Sequence, residues 1–541
     1  MRRVVLLCSV LAFSGVAGAA QTKEERSLQE LRNTVVNLLQ GLVEKGVLTR
    51  EQAQAMVQAA QDKAVADAAA QSKADAEQAK AEEGAIRVPY VPQIVKDEIS
   101  RQVATDLKPQ VTQEVIEQAK SQQWGVPGAL PDWIKRVRWS GDMRLRGQDD
   151  LYARDNLQNA YLDFLTINDK GGIGKAGAAA LLNTTEDRQR LRLRARLGLD
   201  ADLGGGFSTG LRLTTGTLRD AVSTNQTLGN TGGRYQTQFD LAYLKWTGYS
   251  DSWRQILDVS GGRIPNPWMG TELVWDQDLT FEGVAARYRL GLGGYTAESR
   301  YAFLTLGAFP LQEIELSTKD KWLFGGQLGF EWKSAGGNKL RFAAAYYDYQ
   351  NITGRLNDPD STLLDFTAPQ FMQKGNTLFD IRNDLDPSTN LFALAADYKL
   401  ADATASFDWR LSPGYRVSLT GDYVRNVGYK QADVLARTGF VVPPRTNGYL
   451  AELNFGTADA ARPHGWHAFL GYRYVERDAV LDAFTDSDFH LGGTDAKGYY
   501  VGGDFAFTPR TFLRLRYLSA NEIDGPPLGI DVLQLDINAQ F

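Results

Sequence analysis

Arg188, Arg190, Arg192, Arg194 and Arg196 occupy every second position of one short stretch, with Leu191, Leu193, Ala195, Leu197 and Leu199 in the places between and after them. In an extended strand, alternate side chains point to opposite faces, so these guanidiniums would stand in one row. A second stretch repeats the pattern. There Arg136, Arg138, Asp142, Arg144 and Arg146 face one way, and Val137, Trp139, Met143 and Leu145 face the other. Rows of fixed positive charge act on charged solutes. In a confined aqueous space they work at a lower effective dielectric and focus the field on passing ions. The chemistry on offer is to favour anions or to orient a solute. The plainer alternative is that any wetted interior must be polar and arginine is a well-solvated residue.

A second group lies in 264–278, which carries Pro265, Pro267, Trp268, Glu272, Trp275, Asp276 and Asp278. A rigid, aromatic and acidic segment suits a constriction facing the arginine rows, and Trp268 and Trp275 could stack on a sugar ring. An outward loop, or one packed at an interface between copies, remains the alternative. Other reactive chemistry is thin. The only three histidines are His464, His467 and His490, and no Ser–His arrangement can be built on them, so no enzyme is expected. The single cysteine, Cys8, falls in an N-terminal apolar run. Disulfides and zinc–thiolate sites are therefore excluded from the mature chain, and no metal or organic cofactor is indicated.

The elements that must hold these residues follow from the period of the pattern. Alternation continues to the C-terminus in runs of about ten residues, longer than the usual ~5–6 and matched to a tilted strand crossing a bilayer. The last run is the clearest. Leu533, Leu535, Ile537, Ala539 and Phe541 alternate with Gln534, Asp536, Asn538 and Gln540, and the chain stops on the aromatic. The composition agrees: 541 residues, 43% hydrophobic, with 53 Gly, 22 Tyr, 24 Phe and 11 Trp. No run of about 18 apolar residues follows the N-terminus, which excludes a helical membrane protein. A net charge of −6 argues against a nucleic-acid partner. Before the alternating region the chain reads differently. Arg2 and Arg3, an apolar core and Ala17-Gly18-Ala19 make residues 1–20 a secretory signal peptide. Residues 21–121 read as helical, from the spacing of Leu28, Leu31, Val35, Leu38 and Leu42 to an Ala/Gln/Lys/Glu-rich stretch with coiled-coil character. This region would be an oligomerisation stalk, a cell-wall contact or a plain spacer. Residues 122–135 read as a linker and 136–541 as the membrane domain.

Sixteen strand candidates follow: 136–146, 188–200, 207–216, 237–247, 254–263, 279–290, 297–306, 322–332, 339–349, 391–411, 415–426, 447–456, 464–475, 497–507, 511–519 and 530–541. Short connections such as 201–206, 333–338 and 412–414 alternate with long ones such as 147–187, 264–278 and 350–390, as in outer-membrane barrels with both termini in the periplasm. The fold expected is an all-β transmembrane barrel of about 16 antiparallel strands, or 18 if 350–390 hides a hairpin. Sixteen strands would enclose a water-filled lumen. With apolar positions facing lipid, Arg138, Arg144, Arg190, Arg192, Arg194, Arg196 and Arg212 line that lumen from the first three strands. Arg514 and Arg516 join them from the fifteenth, which closure makes a neighbour. Trp139, Tyr243, Tyr472, Tyr474, Tyr517 and Phe541 face lipid by the same parity, as interfacial girdles. The acidic segment 264–278 becomes the third external loop.

Several motifs carry a family resemblance. They are Trp124-Gly125-Val126-Pro127-Gly128-Ala129-Leu130-Pro131-Asp132-Trp133, Trp139-Ser140-Gly141-Asp142-Met143-Arg144-Leu145-Arg146, the run 188–199, and Val274-Trp275-Asp276-Gln277-Asp278-Leu279. Together, in patches from about residue 88 to the C-terminus, the chain resembles the bacterial "putative porin" family of Gram-negative outer-membrane proteins, with a helical periplasmic preamble and a large barrel. The resemblance implies a channel for small solutes or ions, a trimer of the kind many sixteen-stranded porins form, and no particular solute. The rival is a barrel serving only as an anchor while 21–121 tethers the envelope. A plugged, energised transporter would need a different preamble and ~22 strands.

Overall fold

The computed structural model describes residues 132–541 apart from Leu316 and Leu385. The segments expected to be a signal peptide (1–20) and a helical region (21–121), and most of the expected linker at 122–135, lie outside the described residues. After a four-residue helix, Asp132–Lys135, sixteen barrel strands follow. They are β1 Val137–Tyr152, β2 Arg188–Gly204, β3 Phe207–Thr214, β4 Gln238–Tyr249, β5 Gln255–Pro265, β6 Thr280–Gly291, β7 Arg300–Gln312 and β8 Lys321–Lys333. The second half comprises β9 Lys339–Gln350, β10 Lys399–Ser412, β11 Tyr415–Asn426, β12 Asn447–Thr457, β13 Trp466–Val475, β14 Ala496–Thr508, β15 Thr511–Glu522 and β16 Gly529–Gln540. A two-residue strand, Gln226–Thr227, pairs with β2 as a seventeenth member of the sheet.

Each strand is antiparallel to its neighbour, and β1 closes the circle on β16, from Asp142 opposite Gln540 to Tyr152 opposite Ile530. Closure leaves no open edge, as a sheet in hydrocarbon requires. The terminal Phe541 exchanges both backbone hydrogen bonds with Gly141, at 3.2 and 3.0 Å. Alternation fixes which side chains meet lipid: on β16 Leu533, Leu535 and Ile537 are exposed, while Gln534, Asp536 and Asn538 are buried inside.

Three departures from the expectations have physical causes. The stretch 391–411 is not one strand. Phe392–Leu394 pairs instead with Leu378–Asp380 in a separate two-stranded sheet, and the barrel strand begins at Lys399. Only one strand of that pair lies within 350–390 and it does not join the wall, so the barrel has the sixteen strands expected rather than eighteen. Tyr243 faces inward. The register slips where Arg212 and Leu213 oppose Leu241 and Phe239, and a one-residue slip reverses every side chain beyond it. Finally, the lumen is not simply water-filled, because its inner face is apolar over much of the circumference.

The connections explain this last point. One end has short turns, such as 205–206, 334–338, 413–414 and 509–510. The other carries L1 (153–187), L2 (215–237), L3 (266–279), L4 (313–320), L5 (351–398), L6 (427–446), L7 (476–495) and L8 (523–528). Val222 of L2, Leu273 of L3, Ile381 of L5 and Leu481 of L7 share one buried cluster with Ile264, Phe281, Phe309, Leu323, Tyr347 and Val424 of the strands. The core of this barrel therefore lies inside it, at the long-loop end.

Candidate functional site

The arginine rows come together as the pattern requires. In register, Arg144 lies opposite Arg194 and Arg146 opposite Arg192, while on the other side of β1 Arg146 lies opposite Asp536. Arg514 and Arg516 of β15 lie opposite Asp536 and Gln534 of β16. The wall thus spans β15, β16, β1, β2 and β3 without a break. Like charges at this spacing must be compensated, and carboxylates supply the compensation. Asp142 accepts hydrogen bonds from Arg194 and, at 2.7 Å, from Arg196. Arg190 pairs with Asp150, Arg212 with Asp240 at 2.7 Å and Arg514 with Asp504 at 2.7 Å. Arg138 stands apart from this network, exposed near the short-turn end and opposite Asp200.

Two inserted loops add acids from across the lumen. Asp278 of L3 lies 3.3 Å from both Arg194 and Arg196 and accepts a hydrogen bond from the Thr224 hydroxyl of L2 at 3.0 Å. Asp488 of L7 takes Arg146 at 2.8 Å, pairs with Arg516, and has Arg192 at 3.9 Å. Burial alone would raise the Asp488 carboxyl. The guanidiniums of Arg146, Arg516 and Arg192 outweigh it and hold Asp488 well below the usual carboxylate range. Neutralisation is uneven. Arg144, only 5% exposed, makes its side-chain hydrogen bond to an amide, Asn225 Oδ1 at 2.6 Å. Among the described residues, the Nε–H groups of Arg144, Arg190 and Arg192 are buried without a partner.

The rest of the acidic segment does something else. Trp268 lies edge-on to Tyr347, 5.1 Å between centroids, and Trp275 lies edge-on to Tyr347 and Phe281 at 5.0 and 5.1 Å. Trp268 fits across Gly325 of β8, where a Cβ would come within 2.6 Å of the indole. Both indoles are buried, so neither offers an open face to a solute in this packing. They anchor L3 to the wall. Asp276 Oδ1 accepts the Asp278 backbone N–H at 2.8 Å, and Oδ2 accepts that of Ser487 at 3.0 Å. Glu272 gives its backbone carbonyl to Thr485 of L7, at 3.1 Å. Burial, then the nearby Asp486 carboxylate, push the Glu272 carboxyl up to about 7. Burial and the Glu272 carboxyl raise Asp276 well above the usual range.

L5 completes the insertion. Gln373 donates to the backbone carbonyls of Asp482 and Thr485, and Thr377 donates to Asp478 through both backbone and hydroxyl. L3, L5 and L7 are therefore one hydrogen-bonded body. Beside it, at the long-loop end, lie a cavity of about 620 Å³ whose lining includes Asp240, Asp278 and Arg263, and one of about 270 Å³ lined by Gln148, Arg190, Arg192 and Asp488 among others. The smaller cavity opens directly on the arginine wall. Reading the sequence singled out the wall and L3 but missed Asp488, Asn225 and the role of Arg146. Arg146 was visible in its row. Asp488 and Asn225 lie in loops, and nothing local marks a loop residue as lumenal.

A family profile described as "Putative porin" matches residues 32–541. No curated protein sequence matches the chain. Among solved structures the chain is similar to Pseudomonas putida OprB at high pH, with 13% identity over 75% of this chain and 95% of that one and a TM-score of 0.41. It is also similar to a loop-deletion variant of Vibrio cholerae OmpT, an outer-membrane protein (11% identity, 75% and 99% coverage, TM-score 0.38). A third is the outer-membrane channel DcaP of Acinetobacter baumannii (13%, 75% and 97%, TM-score 0.32).

Proposed function

The chain belongs to the "Putative porin" family, and from that premise we propose that it is a narrow passive-diffusion channel for small hydrophilic solutes, leaning towards anions. As a porin barrel it is a protein of the outer membrane. The proposed route passes the arginine wall, between β15–β3 and the inserted L3 and L7. One observation carries the anion preference. The wall is neutralised unevenly, with Arg144 bonded to an amide, Arg192 no closer than 3.9 Å to Asp488, and three buried Nε–H donors without partners. A small anion crossing this level passes guanidiniums that are fixed in place and only partly matched by carboxylate, where a charge-assisted bond costs little reorganisation. A cation meets carboxylates already engaged by arginine.

In this reading the short-turn end faces the periplasm, since β1 begins there and outer-membrane barrels keep their short turns on that side. Purified protein in a planar bilayer under a KCl gradient tests the channel: a steady current with a reversal potential towards that of chloride is expected. A second reading rests on the insertion of L2, L3, L5 and L7, which fill one side of the lumen around a shared core. In it the barrel is an anchor and residues 21–121 tether the envelope. The absence of current from folded protein, with an envelope defect on deletion of 21–121, would favour the anchor.

A further inference from the structure

A third cavity, of about 190 Å³, opens beside the 620 Å³ one and shares Ala221, Leu311, Phe371 and Phe484 with it. Its lining is mostly apolar, with Leu311, Ile352, Leu394, Leu481 and Phe484, yet it contains two ionisable groups of opposite sign. Lys321, at the start of β8, is 5% exposed and donates to two backbone carbonyls of L5, Thr367 at 3.3 Å and Ala368 at 2.8 Å. An ammonium has three donors, so one remains. Asp482 of L7 is 1% exposed; among the described residues its carboxylate has no side-chain partner, and the backbone N–H groups of Ala483, Gln373 and Asn376 only partly offset its burial. The two groups line one chamber without forming an ion pair with each other. A buried charge without a counter-charge is costly, and a cavity lined by one of each sign, not paired with each other, is organised for something that satisfies both.

We propose that this side chamber binds a small zwitterionic α-amino acid with an aliphatic side chain. Its carboxylate would meet Lys321, its ammonium would meet Asp482, and its side chain would lie among Leu311, Ile352, Leu394 and Leu481. The volume lies below the roughly 300–1,000 Å³ of pockets for drug-sized ligands, which suits one amino acid rather than a peptide. Burial pushes the Asp482 carboxyl up to about 7; a bound ammonium would favour its ionised form. The proposal deepens the channel reading by naming a solute class, and it rests on that reading only for the solute's onward passage. Occupancy of the chamber does not require conduction.

The test is isothermal titration calorimetry on the detergent-purified full chain at pH 7.5 with L-leucine, isoamylamine and 4-methylpentanoate, the last two lacking one charge each. Leucine is expected to bind, and each single-charge analogue to bind about tenfold more weakly or worse, since a hydrogen bond to a charged group is worth about 1.5–3 kcal/mol. The near-isosteric D482N should weaken leucine by a similar factor, and K321Q likewise. The analogue comparison on wild-type protein holds even if a variant misfolds. No leucine binding by folded wild-type protein, equal binding of leucine and isoamylamine, or unchanged binding by folded D482N would each overturn the proposal. Normal KCl current without leucine binding overturns the chamber and leaves the channel. Leucine binding without current supports the chamber and overturns the channel.

Discussion

The two sides of the lumen solve the same problem by opposite means. From β15 round to β3 the inner face is charged, and its arginines are held by carboxylates on neighbouring strands, at Asp142, Asp150, Asp240 and Asp504. From β5 round to β13 the inner face at the long-loop end is apolar, and it is covered by L3, L5 and L7. A charged wall can stand against water; an apolar wall inside a wide barrel cannot, because exposing it costs about 25 cal/mol per Å². The inserted loops are thus the price of the apolar wall, and they leave the remaining passage beside the arginines. The two sides meet through Asp278 and Asp488, and at the long-loop end Phe489 of L7 also packs on Leu518 of β15 and Val532 of β16.

Those contacts are where the contrast can be broken. Asp488→Ala removes the carboxylate that Arg146 and Arg516 share, leaving Arg146 only Asp536 and Arg516 only the Gln534 amide in a buried site, and should have the largest effect, about 3–5 kcal/mol by analogy with broken buried ion pairs. Thermal unfolding in detergent checks the loss, and L7 should become more open to protease. Trp268→Ala removes the anchor of L3 on β8 and should cost about 3 kcal/mol, the lower end for a buried tryptophan. Its proteolytic opening should appear in L3 before L7.

Acidity should tune the same contact. Glu272 is raised from 4.5 to about 7. A carboxyl raised on folding favours the packed state while protonated, so that contribution is present below about 4.5 and lost as the pH climbs through 7. Facing it are Asp276, Asp486 and Asp488 on the acidic side and Arg473 and Arg516 on the basic side. Conductance should therefore rise modestly between pH 5 and 8 as L3 loosens from L7, and E272Q should flatten that rise. A conductance that falls over the same range would count against the packing described. The smallest effect is expected of Arg138→Gln, because that arginine is exposed near the short-turn end. Its reversal potential should stay within error of the parent.

The difference between the two sides also governs what could be read from the sequence. The charged wall was legible because lipid enforces alternation: Leu191 and Leu197 point out, so Arg192 and Arg194 point in. The strand order and the sixteen-strand closure follow from that rule with turn spacing. The rule failed where inward positions are themselves apolar, as at Phe281, Phe309 and Tyr347, since parity alone cannot say that loops will return to cover them. It failed at Tyr243 because a bulge leaves no mark in composition. Phe392–Leu394 reads as strand, and is one, but its partner lies within L5. Within the acidic segment, Asp278 meets the arginines as its charge suggests, whereas Trp268 and Trp275 have become packing residues. Asp488 and Asn225 were beyond reach, because their contacts exist only once the ring is closed and the loops fold in.

The central claim is that ions pass the arginine wall and are selected by its under-neutralised members. The most direct measurement is the reversal potential of the purified protein in a planar bilayer under a KCl gradient, for the parent chain and for R144Q with R192Q. The account predicts an anion-selective parent whose selectivity falls towards zero in the double variant while current persists. An unchanged anion preference in the folded variant, or cation selectivity in the parent, would contradict it.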